Sequence, residues 1–321
     1  MFQDKTIVKE LTRLISQLHI SDSFLQFREK QYAITPENAM SSLISILYSE
    51  CYALKESYQS GQKERALHFT DSNDSFLELL SQNNLSKNRT EKDWIIKNIH
   101  PNGYLEVTKQ SELQVIHVSH LVDVPSGSTA EIGQTVSVLF PKEDRQRQPT
   151  FYYVFSDQSM NPFQSFTRIY WNCNSDGAPK LIKSITEKLN YYSIPFLFKC
   201  LNHPDLYFRR DAAVLYIEET MIPIIKMLLP EICNEMEDYL EEDVPLFAYP
   251  YAKGVGIAES PNENESFGMN RVTILAETLF RTTHKKLVAT AVVNEIGSAF
   301  LQRGIDPKTT FLNKGTKILF N

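Results

Sequence analysis

The chain has 321 residues, 33 of them lysine or arginine and 39 aspartate or glutamate, for a net charge of −6, which gives no broad attraction to nucleic acid. Apolar residues make up 42% and charged residues 22%, and no run of about twenty uncharged apolar residues exists to span a bilayer, so a globular protein away from the membrane is expected. Cys51, Cys173, Cys200 and Cys233 are scattered without close pairs or neighbouring histidines, which points to neither a zinc site nor a disulfide framework.

The charged start, Met1-Phe2-Gln3-Asp4-Lys5, occupies the place of a secretory signal's apolar segment, so a cytoplasmic protein is expected. Ile7, Val8, Leu11, Leu14, Ile15 and Leu18 recur at helical spacing and predict a first helix over residues 5 to 18. At Thr35-Pro36-Glu37 the threonine suits a cap and the proline the first helical position. A second helix is expected to start there, with Met40, Leu43, Ile44, Leu47, Tyr48 and Cys51 on one face. The polar stretch from Ser57 to Lys63 would end it, and Asn83 to Thr90 reads as a linker. Residues 1–95 are therefore expected to form a helical lobe and residues 96–321 an α+β domain.

From Gly103 the pattern turns to β type, over Tyr104 to Thr108, Leu113 to His120, Thr135 to Phe140, Thr150 to Phe155 and Phe166 to Cys173. The densely charged Lys142 to Gln148 reads as a mobile hairpin tip whose Arg145 and Arg147 carry no role. Helical spacing returns over residues 180 to 190, with Leu181, Ile182, Ile185 and Leu189 inward. It returns again over 218 to 240, where Pro223 and Pro230 should start, kink or divide the element. The acidic run Glu235, Glu237, Asp238, Glu241, Glu242 and Asp243 suits a solvated helix end. Two further helices are expected between Met269 and Arg303, broken near Thr282 and ended at Gly304. Strands first and helices interleaved later indicate an α+β fold with a mixed, largely antiparallel sheet packed with helices.

Three segments carry chemistry. Phe166 to Asn172 alternates cleanly, placing Arg168, Tyr170 and Asn172 on one face and Ile169 and Trp171 on the other, a pattern that an ordinary amphipathic strand would also show. In Pro195 to Leu201, Leu197, Lys199 and Leu201 share a side opposite Phe196, Phe198 and Cys200. A lysine inside such a run needs a partner or a task, unless it snorkels out of an edge strand. Tyr207, Arg209 and Asp211 recur at period two, so a phenol, a guanidinium and a carboxylate are expected on one side, with Arg210 at the surface opposite. His203, beside Pro204, suits a turn and stays close enough in sequence to Lys199 to be considered as an acid. Gly254 to Arg271 reads as a glycine-broken loop running into a helix. That helix start, with Arg271 near its first turn, can favour an anion, although a plain capped helix reads the same. Gly-x-x-x-x-Gly-Lys, Gly-x-Ser-x-Gly and His-Glu-x-x-His are all absent from the sequence. What remains is a metal-free, cofactor-free group of Lys, Arg, Tyr and His suited to an anionic substrate.

At these residues the chain resembles the HopA-type family of type III effectors and its relatives encoded beside peptide-modifying enzymes in bacteria. The resemblance is carried by Arg168-Ile169-Tyr170-Trp171-Asn172, by Leu189-Asn190 with Pro195-Phe196-Leu197-Phe198-Lys199, by Tyr207 to Tyr216, by Gly254 to Pro261, and by Ser266-Phe267-Gly268 with Arg271 to Glu277. It implies a fold like that of the effector phosphothreonine lyases. From the class V lanthipeptide and thioamitide pathways it implies a phosphoserine or phosphothreonine lyase, whose β-elimination leaves dehydroalanine or dehydrobutyrine during maturation of a ribosomal peptide. The implied partners are a phosphorylated precursor peptide and the Ser/Thr peptide kinase that makes it, with no nucleic acid and no membrane. The alternative is a non-catalytic type III effector or a phosphopeptide-binding scaffold for a kinase.

The lyases place a base lysine on a strand ahead of a phosphate-binding arginine, and Lys199 with Arg209 resembles that pattern. Where they carry Lys-x-His, this chain has Arg168-x-Tyr170. The resemblance therefore implies Lys199 as base with Arg209 and Arg168 on the phosphate, and the chemistry of the segments adds Arg271 as a further phosphate ligand, Asp211 and Asn172 as orienters, and Tyr170, Tyr207 and His203 as acid candidates. Removing a weakly acidic α-proton needs a neutral amine, which burial and neighbouring positive charge favour, and guanidinium forks on the phosphate oxygens improve the leaving group.

Overall fold

The structure is a computed structural model and describes residues 1–55, 74–122, 129–161, 164–261, 265–285, 287–316 and 320. Asp4 opens α1 (Lys5–Gln17) by accepting the Thr6 N–H at 2.8 Å, and the helix buries Ile7, Leu11 and Leu14. A small antiparallel sheet of β1 (Leu18–Ile20), β2 (Phe24–Phe27) and β3 (Lys30–Ala33) follows, then α2 (Ala39–Leu47). This helix begins later than its threonine-proline signal predicts, because Pro36 to Asn38 form a turn in which Asn38 Oδ1 accepts the Thr35 N–H at 2.7 Å. A π-helical turn, Tyr48–Tyr52, closes α2. The expected terminator, Ser57 to Lys63, lies outside the described residues.

After α3 (Asp74–Asn83) the chain enters a four-stranded sheet of order β6-β5-β4-β7, made by β4 (Arg89–Ile99), β5 (Tyr104–Lys109), β6 (Glu112–His117) and β7 (Thr135–Phe140). Trp94, Ile96, Leu105, Val107, Ile116, Val136 and Val138 give it a core of its own. The stretch read as a linker, Asn83 to Thr90, holds the end of α3 and the start of β4. Within β4, Asp93, at φ 65°, bulges out and the register with β7 shifts between Glu91 and Trp94, which breaks the alternation of the strand. The boundary expected at residue 95 thus cuts a strand, and the described residues among the first 95 form no separate core. Leu11, Leu43, Leu47 and Tyr52 pack with Phe267, Val272, Ile296 and Phe300, whereas Phe76, Leu77 and Leu80 of α3 join Leu181 and Ile185.

The remaining strands are β8 (Glu143–Gln148), β9 (Phe151–Phe155), β10 (Phe166–Trp171), β11 (Phe196–Leu201), β12 (Ala213–Glu218), β13 (Tyr249–Ala252) and β14 (Val255–Glu259). They form one sheet of order β13-β14-β10-β12-β11-β9-β8, antiparallel throughout. One face buries Ile169, Trp171, Phe196, Phe198 and Leu215 against α4 (Gly177–Tyr191) and α5 (Ile222–Met236). Each such side chain contributes about 1.5–3 kcal/mol of transfer free energy. The other face meets α6 (Phe267–Thr282), packed in turn with α2 and α7 (Ala289–Gln302). The break after Thr282 and the stop at Gly304, where φ is +77°, fall as expected. Pro223 lies in the first turn of α5 while Pro230 is carried inside a helix that continues to Met236.

Lys142 to Gln148 is not a mobile tip. It is edge strand β8, pinned where Glu143 accepts the Tyr152 hydroxyl at 2.6 Å and the Ser81 hydroxyl at 2.7 Å. Among the described residues no helix is long and apolar enough to cross a membrane.

Candidate functional site

Pairing across the large sheet aligns Tyr170 with Val214, Lys199 and Tyr153, and in the next row Arg168 with Tyr216, Leu197 and Phe155. Cα partners project to the same side, so Lys199, Arg168 and Tyr170 share one face. Their sequence neighbours Ile169, Trp171, Phe198 and Cys200 are fully buried on the opposite one. One side of the sheet packs apolar side chains, whereas the other carries these polar groups beside Val214 and Ala258, which pack toward α6.

Lys199 is half-buried, its Nζ 4.2 Å from the Phe151 ring centre and 5.7 Å from that of Tyr153. It donates to Gln148 Oε1 at 3.3 Å, and the same oxygen accepts the Tyr153 hydroxyl at 2.8 Å. The Arg209 guanidinium lies 5.9 Å from the same Phe151 ring and forks onto Asp211, Nε to Oδ1 at 2.8 Å and Nη2 to Oδ2 at 2.9 Å. The Tyr48 hydroxyl donates to Asp211 Oδ2 at 3.3 Å. Burial opposes the charge on Asp211, yet Arg209, with Lys199 adding, holds its carboxyl below the usual value. Burial likewise opposes the Arg209 cation, and Asp211 outweighs it and raises Arg209. The structure therefore brings together Lys199, Arg209 and Asp211, with two cations on a single aromatic ring.

Arg168 and Tyr170 make a second cluster. Arg168 donates to the Ser260 hydroxyl at 2.9 Å and the Glu265 carbonyl at 3.2 Å, with its guanidinium 5.2 Å from the Tyr216 ring centre. Burial pushes Tyr170 up to about 12, against the pull of Arg168, so it stays a hydrogen-bond donor. At ordinary strand spacing Tyr170 stands about 10 Å from Lys199, two strands away in the same row. The Tyr48 and Tyr52 rings, stacked at 5.1 Å, link the two clusters, since Tyr48 reaches Asp211 while Tyr52 meets Tyr170.

Four expected residues are elsewhere. Tyr207 is buried in the opposite core, its hydroxyl donating to the Leu201 carbonyl at 2.8 Å. The period-two reading fails there because residues 207–212 turn and β12 starts only at Ala213. His203 heads a 3-10 turn and accepts the Asp205 N–H at 3.2 Å. Arg271 is 1% exposed and holds the C-terminal segment, donating to the Thr310 carbonyl at 2.8 Å and the Leu312 carbonyl at 3.0 Å. Burial draws it down to about 10, still a cation at neutral pH. Asn172 donates to the Asp243 carbonyl at 2.8 Å and tethers that loop rather than the Arg209 fork. Arg210, expected at the surface, is also 1% exposed. Leu54 bridges to Arg209, the Arg210 N–H donates to the Ala53 carbonyl, and Glu10 and Asp243 face the buried guanidinium at 3.5 Å.

Sequence reasoning missed Gln148, Phe151, Tyr153, Tyr48 and Tyr52. Only the alternation of Phe151, Tyr153 and Phe155 on a neighbouring strand could have signalled an aromatic floor. The tyrosines of the π-helical turn reach the sheet through contacts more than 160 residues apart, between Tyr48 and Asp211, which no local pattern records. Among the described residues no group of three or more His, Cys, Asp or Glu gathers as metal ligands.

The family model described as the HopA1 effector protein family matches residues 142–312, a span that includes the sheet from β8 onward and both clusters. No curated protein matches the chain. Among solved structures, the effector protein from Pseudomonas syringae pv. tomato strain DC3000 is similar with a TM-score of 0.52 and 14% identity, over 96% of both chains. The effector protein from Pseudomonas syringae pv. syringae strain 61 is similar with a TM-score of 0.51 and 14% identity, over 98% of this chain and 100% of that one. At such identity the likeness speaks for the fold alone.

Proposed function

Because the chain belongs to the HopA1 effector protein family, we propose that it is a phosphoserine or phosphothreonine lyase acting on a phosphorylated peptide during maturation of a ribosomal peptide product. The observation that carries this reading is the meeting of Lys199 and Arg209 over the Phe151 ring, with Arg209 locked by Asp211. The Asp211 fork engages Nε and one Nη2 hydrogen of Arg209, and this reading assigns the remaining guanidinium hydrogens to the phosphate oxygens beside the lysine.

In the proposed reaction the neutral Lys199 amine takes the α-proton. The Cα–H electron pair becomes the second Cα–Cβ bond, and the Cβ–O bond breaks with its electrons leaving on phosphate. Arg209 disperses the charge that grows on the phosphate oxygens. The product is dehydroalanine from phosphoserine or dehydrobutyrine from phosphothreonine, with Lys199 left as the ammonium. Gln148 and Phe151 orient the amine, and Tyr48 steadies Asp211. Tyr170 is the remaining candidate acid, a protonated phenol beside Arg168. A kinase that supplies the phosphorylated peptide is the partner this reading requires.

A second reading, a non-catalytic effector or phosphopeptide scaffold, is favoured by the similar solved structures, both described as effector proteins. Incubation with a phosphoserine peptide, followed by mass spectrometry, separates the two. Loss of phosphoric acid by the wild type and not by Lys199→Ala supports the lyase. Binding with an unchanged peptide mass supports the scaffold.

A further inference from the structure

Two arginines on β8 have opposite circumstances. Arg145 is neutralised, its Nε 2.9 Å from Glu143 and its Nη2 3.6 Å from Glu78. Arg147 is exposed, and among the described residues no carboxylate pairs with it. Its guanidinium lies instead 5.4 Å from the Tyr153 ring centre and 5.9 Å from that of Phe155. Both rings stand on the Lys199 face, since Tyr153 is the Cα partner of Lys199 and Phe155 that of Leu197.

The position is built by the backbone. Asp144 Oδ1 accepts the N–H groups of Gln146 at 2.8 Å and Arg147 at 3.0 Å, and the β8–β9 register shifts between Asp144 and Gln148. That bulge re-aims a strand end as bulges do, so Arg147 and Gln148 both serve the same side of β9. Gln148 holds Lys199, and Arg147 covers the next aromatic ring along. Stacking on aromatic faces limits the freedom of the guanidinium while leaving its edge donors open to an anion.

We infer that Arg147 forms an anion subsite at the rim of the Lys199 centre and recognises an acidic side chain, carboxylate or phosphate, on a residue flanking the phosphoresidue. The inference deepens the lyase reading and rests on it for the identity of the peptide. The charge logic is one of supply: Lys199 and Arg209 serve the reacting centre, Asp211 already occupies part of Arg209, Arg168 is held by Ser260 and the Glu265 carbonyl, and Arg147, among the described residues, is exposed at the rim without a carboxylate partner. A flanking anion would be met bidentately, as guanidinium groups meet carboxylates and phosphates.

The test measures binding by fluorescence anisotropy on the full chain, in a Lys199→Ala background so that no turnover occurs. Three peptides carry phosphoserine at the central position and alanine, glutamate or a second phosphoserine next to it. The expected result is about five- to tenfold tighter binding of an anion-flanked peptide than of the alanine peptide, shrinking at high salt. The preference should vanish in Arg147→Ala, reverse in Arg147→Glu and survive Arg145→Ala. Glutamate and phosphoserine arms show which anion is taken. Equal binding of all three peptides, or a preference that persists in Arg147→Ala, overturns the inference. Arg147-dependent preference in a wild type that never eliminates phosphate would sink the lyase reading and leave the subsite standing, whereas elimination without preference does the reverse.

Discussion

Arg209 and Asp211 form a two-point ion pair, 2.8 Å and 2.9 Å, whose members are 13% and 7% exposed and which the Tyr48 hydroxyl braces from the α2 side. Such a pair, nearly out of water, is worth little against an apolar replacement and much against the loss of one member. Asp211→Asn should therefore destabilise the protein by about 3 kcal/mol at neutral pH and loosen Arg209. The sign with pH follows from the depressed carboxyl. A folded value below the unfolded one gives stability that is complete above the ordinary 3.8 and is lost as pH falls through the folded value. Urea unfolding of wild type and Asp211→Asn should differ most above about pH 5, and the gap should narrow only below the ordinary carboxyl range, as pH falls through the depressed folded value. A gap that is already closed above about pH 4 would show that the pair is not what the substitution removes.

Lys199 and Gln148 give a prediction about rate rather than stability. Lys199 is half-buried, so Lys199→Ala should leave thermal unfolding nearly unchanged while abolishing phosphate elimination. Gln148→Ala removes the acceptor at 3.3 Å that orients the amine and should slow turnover about tenfold, with a shifted pH–rate profile and an unaltered KM. A KM effect with an unmoved pH profile would make Gln148 a binding residue instead.

The sequence made the apolar side of the large sheet legible, because the alternation that opens both Phe166 to Trp171 and Phe196 to Leu201 is what a strand with one apolar face requires. It also showed that Lys199 interrupts such a strand. Alternation could not be trusted at Tyr207 to Asp211, because a turn mimics it over five residues, and this is why Tyr207 and Arg210 were misplaced. Arg271 looked like an anion ligand by its place at a helix start. Its task is set by the Thr310 and Leu312 carbonyls, some forty residues downstream and invisible to local reasoning. The polarity of β8 concealed an edge strand for a related reason, since edges carry charge to discourage pairing.

Tyr170 and Tyr207 separate as acid candidates by their surroundings. Tyr207→Phe removes a buried donor from the Leu201 carbonyl and should cost about 1 kcal/mol of stability with turnover unchanged. Tyr170→Phe removes the phenol beside Arg168 and should lower elimination about a hundredfold, the low end of acid catalysis. Single-turnover rates with phosphoserine and phosphothreonine peptides decide the matter, and unchanged rates in Tyr170→Phe would exclude the phenol as the acid.

Gly268, in the first turn of α6, has no room for a side chain. A Cβ there would lie 2.5 Å from Tyr52 Cε1 and 2.9 Å from Tyr48 Cε2, so the stacked pair that braces Asp211 would have to move. Gly297, in α7, offers the contrast, with its nearest neighbour atom at 3.6 Å, in Phe2. Both positions are helical, and alanine is favoured over glycine in a helix by about 0.5–1 kcal/mol. Gly297→Ala should keep that gain and raise the melting temperature slightly. In Gly268→Ala, overpacking of about 1–3 kcal/mol outweighs it, lowering the melting temperature. The displaced Tyr48 should also weaken phosphopeptide binding, because Asp211 then holds Arg209 less firmly. If Gly268→Ala melts and binds like Gly297→Ala, the tyrosine stack yields without cost, and Tyr48 has no part in fixing the Arg209 fork.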